Sequence, residues 1–166
     1  MYVSLSHCWG GISIMRLLRS NLATFQQSMP VDELPKTFRD AMELCKRLEL
    51  RYIWIDSLCI IQDSPEDWDY ESRRMGDVYS LALFNIAATR AKDGTVGCFA
   101  RRSLMEVEPC KVHSTWNGLP ATSYYCHDFN MPERSLDQAP LLERAWVVQE
   151  LVLAPRIVHF TQTQIF

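Results

Sequence analysis

The sequence contains no long apolar run and no cluster of basic residues. None of its 166 residues lies in an apolar stretch of the ~20 residues that span a bilayer, and no basic segment with a following apolar core stands at its start. Its 17 Lys and Arg against 20 Asp and Glu give a net charge of −3, and no basic run exceeds a pair. We therefore expect a soluble, cytoplasmic protein with no membrane span and no nucleic-acid partner.

Metal-binding and redox arrangements of cysteine are also missing. The six cysteines are spread singly, with no CxxC pair and no HxxxH motif. This pattern indicates neither a zinc site nor a thioredoxin-type site, so we expect no bound metal and free thiols in a reducing compartment. The cysteines are Cys8, Cys45, Cys59, Cys98, Cys110 and Cys126.

The composition is that of one globular domain. Apolar residues make up 48% of the chain and charged residues 22%, and the length suffices to bury one sizeable core. We therefore predict a single domain over residues 1–166. A strand pattern follows Met1 at once and no polar tail ends the sequence, so we expect a fragment of a longer protein.

The first half of the chain alternates strand and helix patterns. Residues 2–6 alternate as a strand does and lead into a turn with two glycines. Residues 12–27 have a weak helical pattern, and a clearer helix opens at Leu34 with Pro35 in its first position. The remaining predictions are a strand at 52–55 buried on both faces, a helix capped by Ser64 that runs to about Tyr79, and a strand at 83–88.

The second half adds a hairpin, a helix and a last strand. Strand patterns at 107–113 and 121–125 flank Asn117-Gly118, a favoured hairpin turn. Residues 132–140 are typical of an irregular loop, a helical pattern runs from Pro140 until Pro155 stops it, and a strand covers 156–160. This order predicts an α/β fold with a mainly parallel, doubly wound, flavodoxin-like sheet, an inserted β-hairpin, and a ligand crevice at the carboxyl ends of the strands.

Nucleophilic catalysis has weak candidates. Cys8 stands beside His7, but neighbouring strand residues point to opposite faces, so His7 is poorly placed to act as its base. Cys59 lies near the end of a predicted strand, and Ser57 follows Asp56 without a G-x-S-x-G elbow. A cysteine hydrolase that depends on Cys8 or Cys59 is one alternative.

Glu150 is the more informative candidate. Trp146 and Glu150 are four residues apart on a predicted helix, so they share a face, and Glu143 lies two turns toward the N-terminus. A carboxylate against an indole is partly desolvated, which raises its pKa and suits acid–base work or stabilisation of a cationic transition state. The alternative is that Trp146 belongs to the core and Glu150 pairs at the surface with an arginine or with solvent.

Asp56 and three arginines have two interpretations each. Asp56 directly follows an apolar strand, so it either accepts hydrogen bonds in a turn or faces the crevice. Arginines can clamp a phosphate, but no G-x-G-x-x-G or P-loop accompanies them, and isolated arginines are normally solvated. The arginines in question are Arg39, Arg144 and Arg156.

Four ordered blocks of the sequence resemble the fungal HET (heterokaryon incompatibility) domain. They are YVSLSHCWG at 2–10, LPKTFRDA at 34–41, YIWIDSLCIIQD at 52–63, and RAWVVQE at 144–150 followed by Pro155-Arg156. The resemblance implies the N-terminal part of a larger fungal protein that triggers cell death when genetically different cells fuse. The sequence departs from the family pattern at His7, where a Tyr is usual, and at Cys98, so neither residue is assigned a role.

The HET resemblance extends to the TIR domains, some of which hydrolyse NAD at the nicotinamide–ribose bond with one glutamate. Plant TIR domains place that glutamate in a Trp-x-x-x-Glu-Leu segment, and Trp146 to Leu151 has the same spacing. The resemblance therefore implies that Glu150 is catalytic, that NAD is a substrate and not a bound cofactor, and that the active form is a homo-oligomer. The substrate-binding residues expected beside it are Trp9, Gly10, Gly11, Trp54, Asp56, Ser57 and Trp146, with a tryptophan stacking on the leaving ring and the glycines approaching the pyrophosphate.

A different class of function is equally compatible with this composition. Five tryptophans and an apolar helix face serve an interface as well as a pocket. The alternative is a death-signalling module that self-associates, works with other domains of the parent protein and turns over no substrate.

Overall fold

A four-stranded parallel sheet forms the centre of the fold in the computed structural model, which describes residues 1–102, 108–114, 122–126, 129–137 and 139–166. The strands β1 (Val3–Ser6), β2 (Ile53–Trp54), β3 (Asn85–Ala87) and β6 (Ile157–His159) lie in the order β2-β1-β3-β6. The strands β4 (Cys110–Ser114) and β5 (Thr122–Cys126) form a separate antiparallel pair. The predicted α/β fold with a parallel sheet and a hairpin is thus confirmed, although Asn117-Gly118 lies outside the described residues.

Helices connect the parallel strands. No helix in the described ranges is long and apolar enough to cross a membrane. The part of the chain that the structure describes also contains the short 3₁₀ turns Val31–Glu33 and Pro140–Glu143. The helices are α1 (Leu22–Gln27), α2 (Lys36–Arg47), α3 (Asp56–Cys59), α4 (Pro65–Ser80), α5 (Met131–Asp137) and α6 (Val147–Leu153).

The two faces of the sheet differ in chemistry because β1 alternates apolar and polar residues. Val3 and Leu5 belong to the main apolar core, which also contains Phe38 and Ala41 of α2. Ser4 and Ser6, which are equally buried, point to the opposite face, where Ser6 meets side chains of α4 and α6. One face is therefore a conventional core, and the other contains buried polar groups.

The start of α4 agrees with its prediction. Ser64 caps the helix, its hydroxyl accepting a hydrogen bond from the Asp67 amide at 3.3 Å, and Pro65 occupies the first turn. Glu66 and Asp67 lie in that turn, at the positive end of the helix dipole. By contrast, Pro35 stands just before α2 and not in its first position.

The predicted helix over 12–27 is wrong for most of its length, because it forms only at Leu22–Gln27. The Leu17 amide donates to the Ser57 carbonyl at 2.8 Å, and the Leu17 carbonyl accepts from the Gln62 amide at 2.9 Å. Asn21 also accepts from the Leu18 amide through its side chain. These bonds to distant backbone and to a side chain replace the helical ones.

The strand predicted at 52–55 is shorter than expected and is not buried on both faces. It pairs with β1 on one side and lies at the edge of the sheet, so Ile53 and Trp54 are half-buried. The apolar residues of β2 pack against helices, although the strand lies at the edge of the sheet. Sequence periodicity cannot distinguish such an edge strand from a central one.

Two further predictions about the last third need correction. The helix predicted from Pro140 is divided into the 3₁₀ turn Pro140–Glu143 and α6, and the loop predicted over 132–140 contains α5. Trp146 consequently stands at the N-cap of α6 and not in mid-helix. The predicted stop before Pro155 and the strand that follows are confirmed.

Candidate functional site

A cleft of about 100 Å³ opens beyond the carboxyl ends of β1 and β2, between α4 and α6. Trp9 follows β1, and Asp56 follows β2 as the first residue of α3. The cleft therefore lies where the parallel sheet leads one to expect it. Its lining residues are Trp9, Ile60, Trp68, Met75 and Trp146 among the apolar ones, and Asp56, Gln62, Ser72, Arg144 and Glu150 among the polar ones.

Glu150 is the most buried ionisable group of the cleft. It projects from the first turn of α6, and the residue is only 2% exposed. Its Oε1 atom lies 4.0 Å from Nη1 of Arg144, whereas its Oε2 atom has no hydrogen-bond partner among the described residues. A buried carboxyl oxygen without a partner is costly, so one expects a ligand to use it.

Burial raises the pKa of Glu150 above its usual value. The facing hydroxyls of Ser6 and Tyr79 and the charge of Arg144 oppose that shift, while the charge of Asp56 adds to it. Desolvation is the largest contribution, so the carboxyl has the character of a tuned acid–base or electrostatic group.

The prediction that Glu150 is desolvated is correct, but Trp146 is not the residue that buries it. Trp146 is 57% exposed, so it covers little of the carboxyl even though both residues line the cleft. The alternative with Trp146 in the core and Glu150 at the surface is also wrong. The polar face of the sheet encloses the glutamate, because Ser6 and Tyr79 are both about 1% exposed and lie against it.

A row of buried hydrogen bonds lies behind Glu150. The Ser4 hydroxyl donates to Oδ1 of Asn85 at 3.1 Å, and Nδ2 of Asn85 donates to the Ser6 hydroxyl at 2.8 Å. Because Ser6 accepts from Asn85, the one proton of its hydroxyl is left for either Glu150 or Tyr79, which both lie close to it. This row fixes the polar surroundings of the carboxyl.

Asp56 fulfils both interpretations that the sequence allowed. Its Oδ1 atom accepts from the Ser57 amide at 2.6 Å, as in a turn, and its Oδ2 atom accepts from Nε1 of Trp9 at 3.1 Å. The side chain is 20% exposed and lines the cleft. Asp56 therefore holds the Trp9 ring in place and presents a second carboxylate to the cleft.

His7 lies behind Asp56 and was not assigned a role from the sequence. Its ring is fully buried, stacks 6.5 Å from Trp9 and meets the Phe38 ring edge-on at 4.8 Å. Burial lowers its pKa, which the charge of Asp56, 3.7 Å from Nε2, only partly offsets. Arg144 donates a hydrogen bond to the His7 carbonyl, and this bond holds the guanidinium beside Glu150.

Four of the predicted binding residues do not line this cleft. Trp54 lies at the edge strand with its ring against Tyr79, and Ser57 is wholly buried. Gly10 has φ of +68° and packs so closely that a Cβ there would lie 2.7 Å from the Lys92 carbonyl oxygen. Gly11, with φ of +66°, faces open space. The two glycines thus serve a tight turn.

The thiols do not form a catalytic arrangement with His7. Cys8 is buried with Ala87, Leu141 and Val147 on the face of the sheet opposite the His7 ring, and burial raises the pKa of its thiol. All six cysteines are free, and the described residues contain no group of three or more His, Cys, Asp or Glu that could hold a metal. Burial also raises the pKa of the Cys59 thiol, so the cysteine hydrolase alternative has no support in this geometry.

The sequence analysis missed one stripe of α4 that contributes three of the ten residues lining the cleft. Trp68, Ser72, Met75 and Tyr79 follow the i, i+4, i+7, i+11 spacing of one helix face, and the first three line the cleft while Tyr79 reaches Glu150. Gly76 on the same helix lies against Leu153 and Gln149 of α6. The helical spacing was visible in the sequence, but its orientation toward Glu150 was not.

Comparison with known proteins agrees with the blocks that surround this site. The family model described as heterokaryon incompatibility protein (HET) matches residues 2–150, which include β1, Asp56, α4 and Glu150. No curated protein and no solved structure matches the chain. Because the family match covers almost the whole sequence, the chain belongs to the heterokaryon incompatibility (HET) family, and its role lies in heterokaryon incompatibility.

Proposed function

We propose that this HET domain triggers cell death by hydrolysing NAD at the nicotinamide–ribose bond, with Glu150 as its catalytic residue. The observation that carries the proposal is the buried Glu150 carboxyl, which has an oxygen without a partner at a cleft lined by three tryptophans. The spacing of Trp146, Glu150 and Leu151, which is that of the Trp-x-x-x-Glu-Leu segment of TIR domains, supports this reaction class. Similarity to TIR domains is part of this proposal.

The reaction would use the carboxylate form of Glu150. The bond between ribose C1′ and the pyridinium nitrogen breaks, and its electron pair neutralises the ring, which leaves as nicotinamide. Positive charge develops on the ribose, where an adjacent carboxylate stabilises it. Water then adds to C1′ and releases a proton, so that NAD and water give ADP-ribose, nicotinamide and H⁺.

The raised pKa of Glu150 gives this reaction a distinctive pH dependence. Protonation removes the charge that stabilises the ribose cation, so the rate should fall on the acid side. Because burial raises the pKa of Glu150, that fall should begin at a higher pH than an exposed glutamate would give.

Nicotinamide release from NAD by the full chain tests the proposal. We expect release by the wild type, loss of about a hundredfold or more in Glu150→Gln, and no change in Glu143→Gln, which makes the same substitution at an exposed position of the same segment. The assay is run over a wide range of protein concentration, because we propose that the active form is a cytoplasmic homo-oligomer. Release that is absent at every concentration, or unaffected in Glu150→Gln, would contradict the proposal.

A second function is favoured by one surface of α6. Val148 and Val152, four residues apart and therefore on one face of the helix, are 63% and 75% exposed. Exposed apolar residues grouped on one helix are typical of an interaction surface. A self-associating death-signalling module would use this surface and would still kill cells as Glu150→Gln, whereas an NAD hydrolase would not.

A further inference from the structure

We infer that the cleft is a cage for a single-ring aromatic cation, and that it distinguishes the charged pyridinium ring of oxidised NAD from the uncharged ring of reduced NAD. The inference deepens the proposed function and rests on it for the natural ligand. The binding itself can be measured without turnover.

The aromatic wall of the cleft is the first argument. Trp9, Trp68 and Trp146 come from three separate elements of the chain and line one small space. Tryptophan is the side chain that attracts cations most strongly through its ring, and groups of aromatic rings are the usual way in which proteins bind permanent organic cations. Trp9 is also fixed, by its bond to Asp56 and by its stacking on His7.

The charge of the cleft is the second argument. Asp56 and Glu150 bring two carboxyl groups to a space that has one cationic side chain, Arg144. Arg144 is committed to the His7 carbonyl and to Glu150, and the lining residues Gln62 and Ser72 are uncharged and donate to backbone carbonyls. The buried, unpartnered Oε2 of Glu150 is the atom that a cationic ligand would compensate.

The size of the cleft is the third argument. Its volume of about 100 Å³ lies well below the roughly 300–1,000 Å³ of pockets that enclose whole drug-sized ligands. It therefore suits one ring and excludes a complete dinucleotide, the rest of which would lie outside. Because bond cleavage converts the pyridinium into neutral nicotinamide, the same cage would hold the substrate ring more tightly than the departing product.

Two probes of the same shape separate charge from fit. N1-methylnicotinamide is a cation, and 3-methylbenzamide has the same arrangement of heavy atoms without the charge. Calorimetric titration of the full chain should show the cation binding at least tenfold more tightly than the neutral probe. Equal affinity for the two probes, or binding of neither, would overturn the inference.

Single substitutions locate the binding. Trp68→Ala and Trp146→Ala remove half-exposed rings, so the fold should survive. Each substitution should lower the affinity for the cationic probe about threefold or more. Glu150→Gln should lower the affinity for the cationic probe and leave the affinity for the neutral probe unchanged. Tyr70→Ala is the matched control, an equally exposed ring of α4 outside the cleft, and should bind normally. Equal losses in Tyr70→Ala and Trp68→Ala would overturn the cage.

The two proposals fail in distinguishable ways. If the cation binds selectively but nicotinamide is not released from NAD, the proposed hydrolysis fails and the cage stands. If NAD is hydrolysed but the two probes bind alike, the cage fails and the hydrolysis stands.

Discussion

The two faces of the central sheet differ in chemistry. On one face, Val3 and Leu5 of β1 pack with Phe38 of α2 in an apolar core. On the other, Ser6 is just as buried but meets Tyr79 and Glu150. Apolar burial stabilises a fold, whereas buried polar groups contribute little net stability. The first face therefore supplies the larger apolar core, and the second carries the polar groups of the site beside a smaller apolar cluster.

The strongest test of this division compares neighbouring residues of β1. Leu5→Ala opens a cavity in the apolar face and should lower the free energy of unfolding by about 2–5 kcal/mol. Ser6→Ala removes one hydroxyl from the polar face, so its loss should be clearly smaller. Urea denaturation of both variants measures the difference, and equal losses would show that the two faces contribute alike.

Asn85 bonds the side chains of Ser4 and Ser6 on the polar face. Its substitution should have the second largest effect on stability. Asn85→Ala leaves the Ser4 and Ser6 hydroxyls without their buried partner, which should cost about 1–3 kcal/mol of unfolding free energy. Thermal or urea unfolding of the variant measures the loss. A loss below about 0.5 kcal/mol would mean that these hydroxyls find other partners.

The buried carboxyl of Glu150 on the polar face should make the free energy of unfolding depend on pH. Burial raises its pKa in the folded state, so the unfolded chain loses its proton first, and the free energy of unfolding declines as pH rises from the ordinary glutamate pKa through the raised one. Glu150→Gln should remove this decline. At higher pH the variant should therefore have the larger free energy of unfolding, by about 1.4 kcal/mol for each unit by which folding raises the pKa of Glu150.

Urea midpoints from pH 4 to pH 8 measure this effect against the exposed control Glu143→Gln, which should keep the pH dependence of the wild type. A Glu150→Gln curve parallel to that of the wild type would show that the carboxyl is not desolvated.

The smallest effect on stability is expected outside both faces, on the exposed surface of α6. Val152 is 75% exposed, so Val152→Lys should change the free energy of unfolding by less than about 0.5 kcal/mol. The same change places a charge on the surface that the interaction-module alternative requires. Analytical ultracentrifugation should then show weaker self-association, and unchanged association would exclude this surface from it.

The site was partly predictable because some of its residues belong to local patterns. Glu150, Trp9 and Asp56 follow recognisable strand-end or helix motifs, and all three line the cleft. Trp54 and Ser57 belong to the same motif as Asp56 but lie elsewhere, since adjacent residues of a strand or a turn point in different directions. Trp68 and Tyr79 were not predicted as site residues, because the sequence does not show which element packs against their face of α4.

The sequence by itself determined the local structure: the alternation of β1, the Ser64 cap of α4, the stop at Pro155 and the parallel α/β order. These depend on side-chain spacing and backbone preferences within a few residues. Only the tertiary structure decided which groups meet, as when Arg144 bonds the carbonyl of His7, 137 residues earlier, and Asn85 joins Ser4 across 81 residues. Burial of Glu150 depends on such long-range contacts, because a carboxyl is desolvated by everything packed around it and not by its neighbours in sequence.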